Sequence, residues 1–97
     1  MSLDDPSFVE QFLHNGVPLE LDIKFEDDAR AIPFECTVAV ENGTSYLIIK
    51  LKVEGGLSAK LELKPEHMVE QVQEYIPQVI PMLMRRDQNK IRSYLRL

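Results

Sequence analysis

Four stretches of the chain alternate between apolar and polar residues with a period of two. This alternation is typical of β-strands with one buried face, and it covers about residues 17–25, 32–41, 44–53 and 57–64. Asn42-Gly43 separates the second stretch from the third, and both residue types tolerate the positive φ angles of a type I′ turn. The pattern therefore predicts an antiparallel meander in the order 1-2-3-4.

The turn lengths predict how the strands align. The two-residue turn at Asn42-Gly43 and a three-residue loop at 54–56 both bring apolar residues opposite apolar residues. The predicted opposite pairs are Val38 with Leu47, Val53 with Leu57 and, in the first hairpin, Phe25 with Ile32. One face of the sheet then carries 18 apolar side chains, including those of Val17, Val40 and Leu57.

A short helix is expected before the strands. Asp5 is suited to cap a helix and Pro6 to occupy its first position, and apolar residues follow at helical spacing. Gly16 is suited to the left-handed conformation that commonly ends a helix. The first helix is therefore predicted over about residues 6–14.

A longer helical region is expected after the strands, over about residues 66–96. Its apolar residues recur at intervals of three and four, which gives the region one apolar face. Pro77 and Pro81 each lack a backbone donor, so we expect a kink or break near 76–81. The last segment, about 87–96, is predicted to be a short amphipathic helix.

Together these elements predict a two-layer α+β fold in one domain over residues 1–97. An N-terminal helix, a four-stranded antiparallel meander and a C-terminal kinked helix or helices would pack with the helices on one sheet face. The element order is similar to that of RWD-type interaction domains, and the small acidic character is similar to that of bacterial secretion chaperones. The Tyr-Pro-x-x-x-Pro loop of the first group and the inserted helix of the second are missing, so the likeness is one of topology and composition.

Composition places the chain among globular proteins. Apolar residues make up 44% and charged residues 28% of its 97 residues. No apolar run approaches the roughly 20 residues of a membrane span, and the first residues lack the basic and apolar regions of a secretory signal. A single cysteine, Cys36, fits a reducing compartment, so we expect a soluble, cytoplasmic protein.

The net charge of −5 is unevenly distributed. Residues 1–84 contain 6 basic and 15 acidic side chains, whereas residues 85–97 contain 5 basic side chains and 1 acidic one. An acidic body argues against a general nucleic-acid-binding protein, whose binding face is basic. The basic C-terminal segment is the exception to this acidic character.

The chain contains no catalytic or cofactor-binding motif that rises above chance. His14 and His67 lack second ligands at metal-binding spacing, and Cys36 is expected to be a small buried apolar side chain. Glu26-Asp27-Asp28 lacks the spacing of a calcium loop and is expected to be a solvated turn. We therefore expect no catalytic activity, no cofactor and no metal site.

Two surfaces are candidates for interaction. The predicted alignment groups Tyr46 and Ile48 with Ala39 and Thr37 as an apolar island on the outer sheet face, and such patches often mark contacts. The segment 82–97 combines more apolar residues than a short helix needs with interleaved basic residues, and it either docks on its own domain or reaches a partner. Its candidate residues are Arg85, Arg86, Ile91, Arg92, Tyr94, Leu95 and Arg96.

The leading hypothesis is a non-enzymatic protein–protein interaction or assembly module, chaperone-like or adaptor-like, that forms a homodimer or binds another protein. One alternative is a regulatory domain that contacts nucleic acid through its basic C-terminal helix, although the acidic body counts against it. Another is a small-ligand binder with a cavity between helices and sheet, lined by Phe25, Phe34, Tyr75 and methionines.

Overall fold

The computed structural model describes residues 3–25 and 30–97. Four strands form one antiparallel sheet in the order β1-β2-β3-β4, with helices packed on the sheet, so the predicted α+β meander is confirmed. The predicted turn at Glu26-Asp27-Asp28 lies outside the described residues. The elements are α1 (Pro6–Asn15), β1 (Leu19–Lys24), β2 (Ala31–Glu41), β3 (Thr44–Leu51), β4 (Ser58–Leu63), a 3₁₀ turn (Pro65–His67), α2 (Met68–Arg86) and α3 (Gln88–Leu95).

The ends of α1 follow the predicted capping chemistry. The Asp5 carboxylate accepts a hydrogen bond of 2.9 Å from the backbone N–H of Ser7, which satisfies a donor that the first helical turn leaves unpaired. Gly16 has a φ of 65° and ends the helix in the left-handed conformation. Both signals are local to the sequence, and they place the helix within one residue of its expected end.

The β2–β3 hairpin has the predicted turn and the predicted register. Asn42 and Gly43 have φ angles of 53° and 79°, the two positive values that a type I′ turn needs. Val38 lies opposite Leu47, as expected. This hairpin is therefore specified by its turn residues together with its alternating pattern.

The first hairpin is shifted by two residues from the predicted register. Ile32 lies opposite Ile23 rather than opposite Phe25. Phe25 leaves the strand and is buried, with the guanidinium of Arg92 5.8 Å from its ring centre. Packing of this ring against the helices replaces the expected extension of the ladder, and a shift of two residues keeps every side chain on its predicted face.

The β3–β4 hairpin is shifted by two residues for a different reason. The loop contains a tight turn, in which the N–H of Gly56 donates to the carbonyl of Val53 at 2.9 Å and Gly55 has a φ of 74°. The predicted register pairs Leu57 with Val53. In the structure, the N–H of Leu57 donates to the carboxylate of Asp87 at 2.7 Å. Strand pairing therefore begins with Leu57 opposite Leu51.

Helix α2 is continuous through both of its prolines, so no break occurs near 76–81. Pro77 and Pro81 are exposed, where the carbonyl groups that lose a partner can bond to water. The interruption lies instead at Asp87, between α2 and α3. The cost of about 3 kcal/mol per helical proline is offset by the burial of the apolar face of α2.

The core lies between the helices and the central strands. The side chains of Phe34, Cys36 and Ile49 are fully buried, and α2 packs on β3 and β4. The ends of this sheet face are less covered than predicted. Val17, Val40 and Leu57 are 63%, 68% and 41% exposed.

Candidate protein interaction site

The C-terminal segment docks on its own domain. Ile91 and Leu95, on one face of α3, are only 0% and 2% exposed and belong to the core. This finding corrects their assignment to an interaction surface, because α3 uses its apolar face to close the end of the sheet. Tyr94 lies on the other side of α3 and remains half-exposed.

The arginines of the C-terminal segment have different surroundings. Arg92 stands over the ring of Phe25, and Arg85 lines an open groove of about 300 Å³ beside the same ring. Arg86 and Arg96 are exposed. At least two of these side chains therefore border the end of β1, and nucleic-acid binding through them stays a prediction.

Asp87 joins the α2–α3 junction to the β3–β4 loop. One carboxylate oxygen accepts the N–H of Leu57, and the other lies 3.5 Å from the ammonium of Lys90. That ammonium donates to the carbonyl of Gly55 at 2.7 Å. The sequence analysis treated Asp87 only as the acid of a basic segment, although an Asp directly before a helix is a capping signal that marks the junction.

The outer-face island exists but is flat and partly covered. Tyr46 lies opposite Ala39 and Ile48 opposite Thr37, as predicted, and all four side chains are half-buried. The ammonium of Lys60 stands 4.3 Å from the ring centre of Tyr46. It also donates to the carboxylate of Glu41 at 2.7 Å, which raises the pKa of Lys60.

A larger gap in the apolar cover lies along β1. Leu19, Leu21 and Ile23 point to the helix-covered face but are only half-buried, whereas their neighbours in β2 are fully buried. An open groove of about 150 Å³ adjoins the start of this strand, and the groove beside Phe25 adjoins its end. The groove at the start is lined by Phe8, Gln11, Phe12, Asn15, Val17, Pro18 and Leu19.

β1 is also an edge strand with a single strand neighbour in the described sheet. The N–H of Lys52 donates to the carbonyl of Pro33, so the odd-numbered residues of β2 point their backbone groups to β3 and the even-numbered ones to β1. In the β1–β2 register, the even-numbered residues of β2 lie opposite the odd-numbered residues of β1. The backbone groups of the even-numbered residues of β1 therefore point away from β2. The backbone groups at this open edge belong to Glu20, Asp22 and Lys24.

The outer face of β1 carries charges of both signs. Glu20, Asp22 and Lys24 are all exposed. The ammonium of Lys52 lies 3.6 Å from the carboxylate of Glu20 and 3.4 Å from that of Glu35, and these contacts raise the pKa of Lys52, the one with Glu35 most. β1 therefore presents a polar outer face, a half-covered apolar inner face and an open backbone edge.

The titratable side chains outside these surfaces form no group of metal-ligating geometry within residues 3–25 and 30–97. His14 and His67 are exposed at helix ends. Burial, with a smaller contribution from the charge of Glu35, raises the pKa of the Cys36 thiol to about 12. A thiol in this state is a poor nucleophile at neutral pH.

The expected ligand cavity does not combine the predicted residues. Phe34 is fully buried in the core, while Phe25 and Met84 line the open groove described above. Tyr75 does not line that groove. The small-ligand hypothesis therefore gains no enclosed site from this arrangement.

No protein-family model, no curated protein sequence and no solved structure matches this chain at a significant level. Over the described part of the chain, none of the helices has the length and apolar character needed to cross a membrane.

Proposed function

We propose that this chain is a non-enzymatic protein–protein interaction or assembly module of the cytoplasm, adaptor-like or chaperone-like, which uses the open edge of β1 as its contact surface. The observation that carries the proposal is the incomplete cover of β1, where Leu19, Leu21 and Ile23 are only half-buried. An added strand would find unpaired backbone groups for hydrogen bonding and apolar side chains for packing at this edge.

The chemistry of the remaining side chains supports a binding role over a catalytic one. The Cys36 thiol is buried with a raised pKa, and His14 and His67 lie far apart in the sequence, on the surfaces of different elements. The one buried carboxylate among the described residues, that of Asp87, is engaged by Leu57 and Lys90. The Cys36 thiol and the Asp87 carboxylate are therefore parts of the folded core and its connections.

Replacement of Asp22 by proline tests the proposal. The N–H of Asp22 faces the open edge, so Asp22→Pro removes a donor to a partner strand while leaving the bonds between β1 and β2 intact, and proline is tolerated on edge strands. We expect Asp22→Pro to abolish association, whether with itself or with a partner captured from lysate. Asp22→Ala, which removes the charge but keeps the N–H, should retain association.

Amide hydrogen exchange gives a direct readout of the same edge. In dilute protein the amides of Glu20, Asp22 and Lys24 should exchange rapidly, whereas those of Leu21 and Ile23 should be protected by β2. Association should slow the hydrogen exchange of the Glu20, Asp22 and Lys24 amides. Partners that bind without protecting these amides, or that bind Asp22→Pro as well as wild type, would contradict the use of this edge.

A further inference from the structure

We infer that the partner at the open edge of β1 is a second copy of this chain, paired antiparallel about a twofold axis at Asp22. The inference rests on the proposed function and names the partner for that edge. In this arrangement two four-stranded sheets join into one eight-stranded sheet, β1 to β1. Three observations support it: the spacing of the open backbone groups, the order of charges along β1, and the apolar surfaces beside it.

The backbone spacing permits a twofold pairing along the length of β1. Glu20, Asp22 and Lys24 turn their backbone groups to the edge, and a twofold axis at Asp22 places Glu20 of one copy opposite Lys24 of the other. Each of these opposite pairs exchanges two hydrogen bonds. The strand therefore gains three mutually bonded pairs.

The charges and the number of bonded pairs together select this register over its neighbours. With the axis at Asp22, two Glu20–Lys24 pairs attract across the junction and one Asp22–Asp22 pair repels. A shift of two residues toward the start of the strand would set Glu20 against Asp22 twice, with like charges. A shift the other way pairs Asp22 with Lys24 but keeps only two mutually bonded pairs within β1.

The apolar face of β1 matches itself in the same register. Leu21 of one copy lies opposite Ile23 of the other, and both are only half-buried in the single chain. The same axis brings Leu19 of one copy next to the end of β1 in the other, so the groove at the start of β1 in one copy adjoins the groove beside Phe25 in the other. Exposed Val17, at 63%, lies in the first of these grooves. Association would thus cover the apolar surface that the helices leave open.

Charge exchange at Glu20 and Lys24 tests the register. We expect sedimentation equilibrium of the full chain, from low micromolar to millimolar concentration, to show a monomer–dimer equilibrium. Glu20→Lys and Lys24→Glu should each weaken it at least about tenfold, because each change creates two like-charge pairs in a symmetric dimer. The double variant should restore dimerisation, and an equimolar mixture of the two single variants should form a heterodimer more readily than either variant dimerises alone.

Matched controls lie on the half of the sheet that is farther from β1. Glu62→Lys on β4 and Lys50→Glu on β3 make the same charge changes on the outer face away from β1, and they should leave the dimer intact. Asp22→Asn, which removes the repulsive pair at the axis, should tighten it. Circular dichroism of each variant establishes that the fold is retained.

Several outcomes would overturn the inference. A chain that stays monomeric at every concentration rules out the second copy as partner. A dimer whose dissociation constant is unchanged by every charge change on β1 rules out this edge as the dimer contact. A loss in Lys24→Glu that Glu20→Lys fails to rescue rules out the axis at Asp22. If a monomeric chain still captures another protein through an edge that Asp22→Pro blocks, the inference fails while the proposed function stands; if that capture is also absent, both fail.

Discussion

Asp87 is the one charged side chain among the described residues that is buried, and both of its carboxylate oxygens are occupied. Its backbone continues the same connection, since its N–H donates to the carbonyl of Leu83 and its own carbonyl accepts the N–H of Ile91. Burial of a charge is tolerated when partners replace water. This residue therefore fixes the angle at which the chain leaves α2 and enters α3.

Two replacements of Asp87 distinguish the effect of losing its hydrogen-bond acceptor from the effect of losing its charge. Asp87→Ala leaves the N–H of Leu57 without an acceptor and should lower the free energy of unfolding by about 2–3 kcal/mol. Asp87→Asn retains one acceptor oxygen and should cost about 1 kcal/mol. Urea unfolding measures both, with exposed Asn89→Ala as the control. Equal losses in Asp87→Ala and the control would show that the connection adds no stability.

At the scale of elements, the sequence determines faces better than registers. A period of two fixes which side chains point inward, and it is unchanged by a shift of two residues, so the first and third hairpins had correct faces and incorrect partners. The two-residue turn at Asn42-Gly43 leaves no such freedom, and its register was predicted correctly. The apolar face of α3 was likewise visible in the sequence, but its partner, the end of the sheet, is decided by tertiary contacts.

The same limit applied to the candidate site. Tyr46 and Ile48 were placed correctly because their pairing follows from the predicted hairpin. The half-exposure of Leu21 could not be predicted, because it depends on where α1 and α2 lie on the sheet. The alternation of β1 carried the one usable signal, since it identified a strand with charged residues on one face and apolar residues on the other.

Helix α3 is predicted to be a structural element with one exposed aromatic residue. Ile91→Ala should lower the free energy of unfolding by about 2–4 kcal/mol, because it leaves a cavity beside fully buried neighbours. Tyr94→Ala should cost less than about 1 kcal/mol, because Tyr94 is half-exposed. Urea unfolding of the two variants makes the comparison. Similar losses of unfolding free energy in the two variants would contradict the assignment of Ile91 to a buried face and Tyr94 to an exposed face.

At the scale of the whole molecule, a single helical layer on a single sheet gives a flat body, with a shortest dimension of 20 Å. The centre of the inner sheet face, around Phe34 and Ile49, is sealed, while cover declines toward both edge strands and toward the ends of the sheet. Cys36 lies in the sealed part. Its thiol is therefore shielded from solvent by the packing of the helices on the sheet.

The stability of the molecule should fall at alkaline pH because of this thiol. The pKa of Cys36 is about 12 in the folded chain against 9.0 for a free thiol, so between these values the unfolded chain loses a proton that the folded chain keeps. The free energy of unfolding should then decrease with rising pH, by up to about 1.4 kcal/mol per pH unit. Near neutral pH the thiol contributes almost no slope, because it is protonated in both the folded and the unfolded chain.

Cys36→Val provides the comparison, since lysine and tyrosine titrations are common to both proteins and cancel in the difference. The difference between wild type and Cys36→Val in the free energy of unfolding should be constant at neutral pH and should change steadily above pH 9. A difference that stays flat to pH 11 would show that the thiol ionises as readily in the folded chain as in the unfolded one.

The order of elements has a consequence for the chain during translation. Every strand pairs with its neighbour in sequence, so the sheet can assemble once Leu63 has emerged, yet α2 and α3 that cover it follow up to Leu95. At a synthesis rate of about 5–20 residues per second, that interval lasts about 2–6 seconds. Throughout it, the apolar face around Phe34 and Ile49 is open to other nascent chains and to chaperones. The order of the elements therefore leaves the apolar face of the sheet uncovered for as long as the two helices take to follow it.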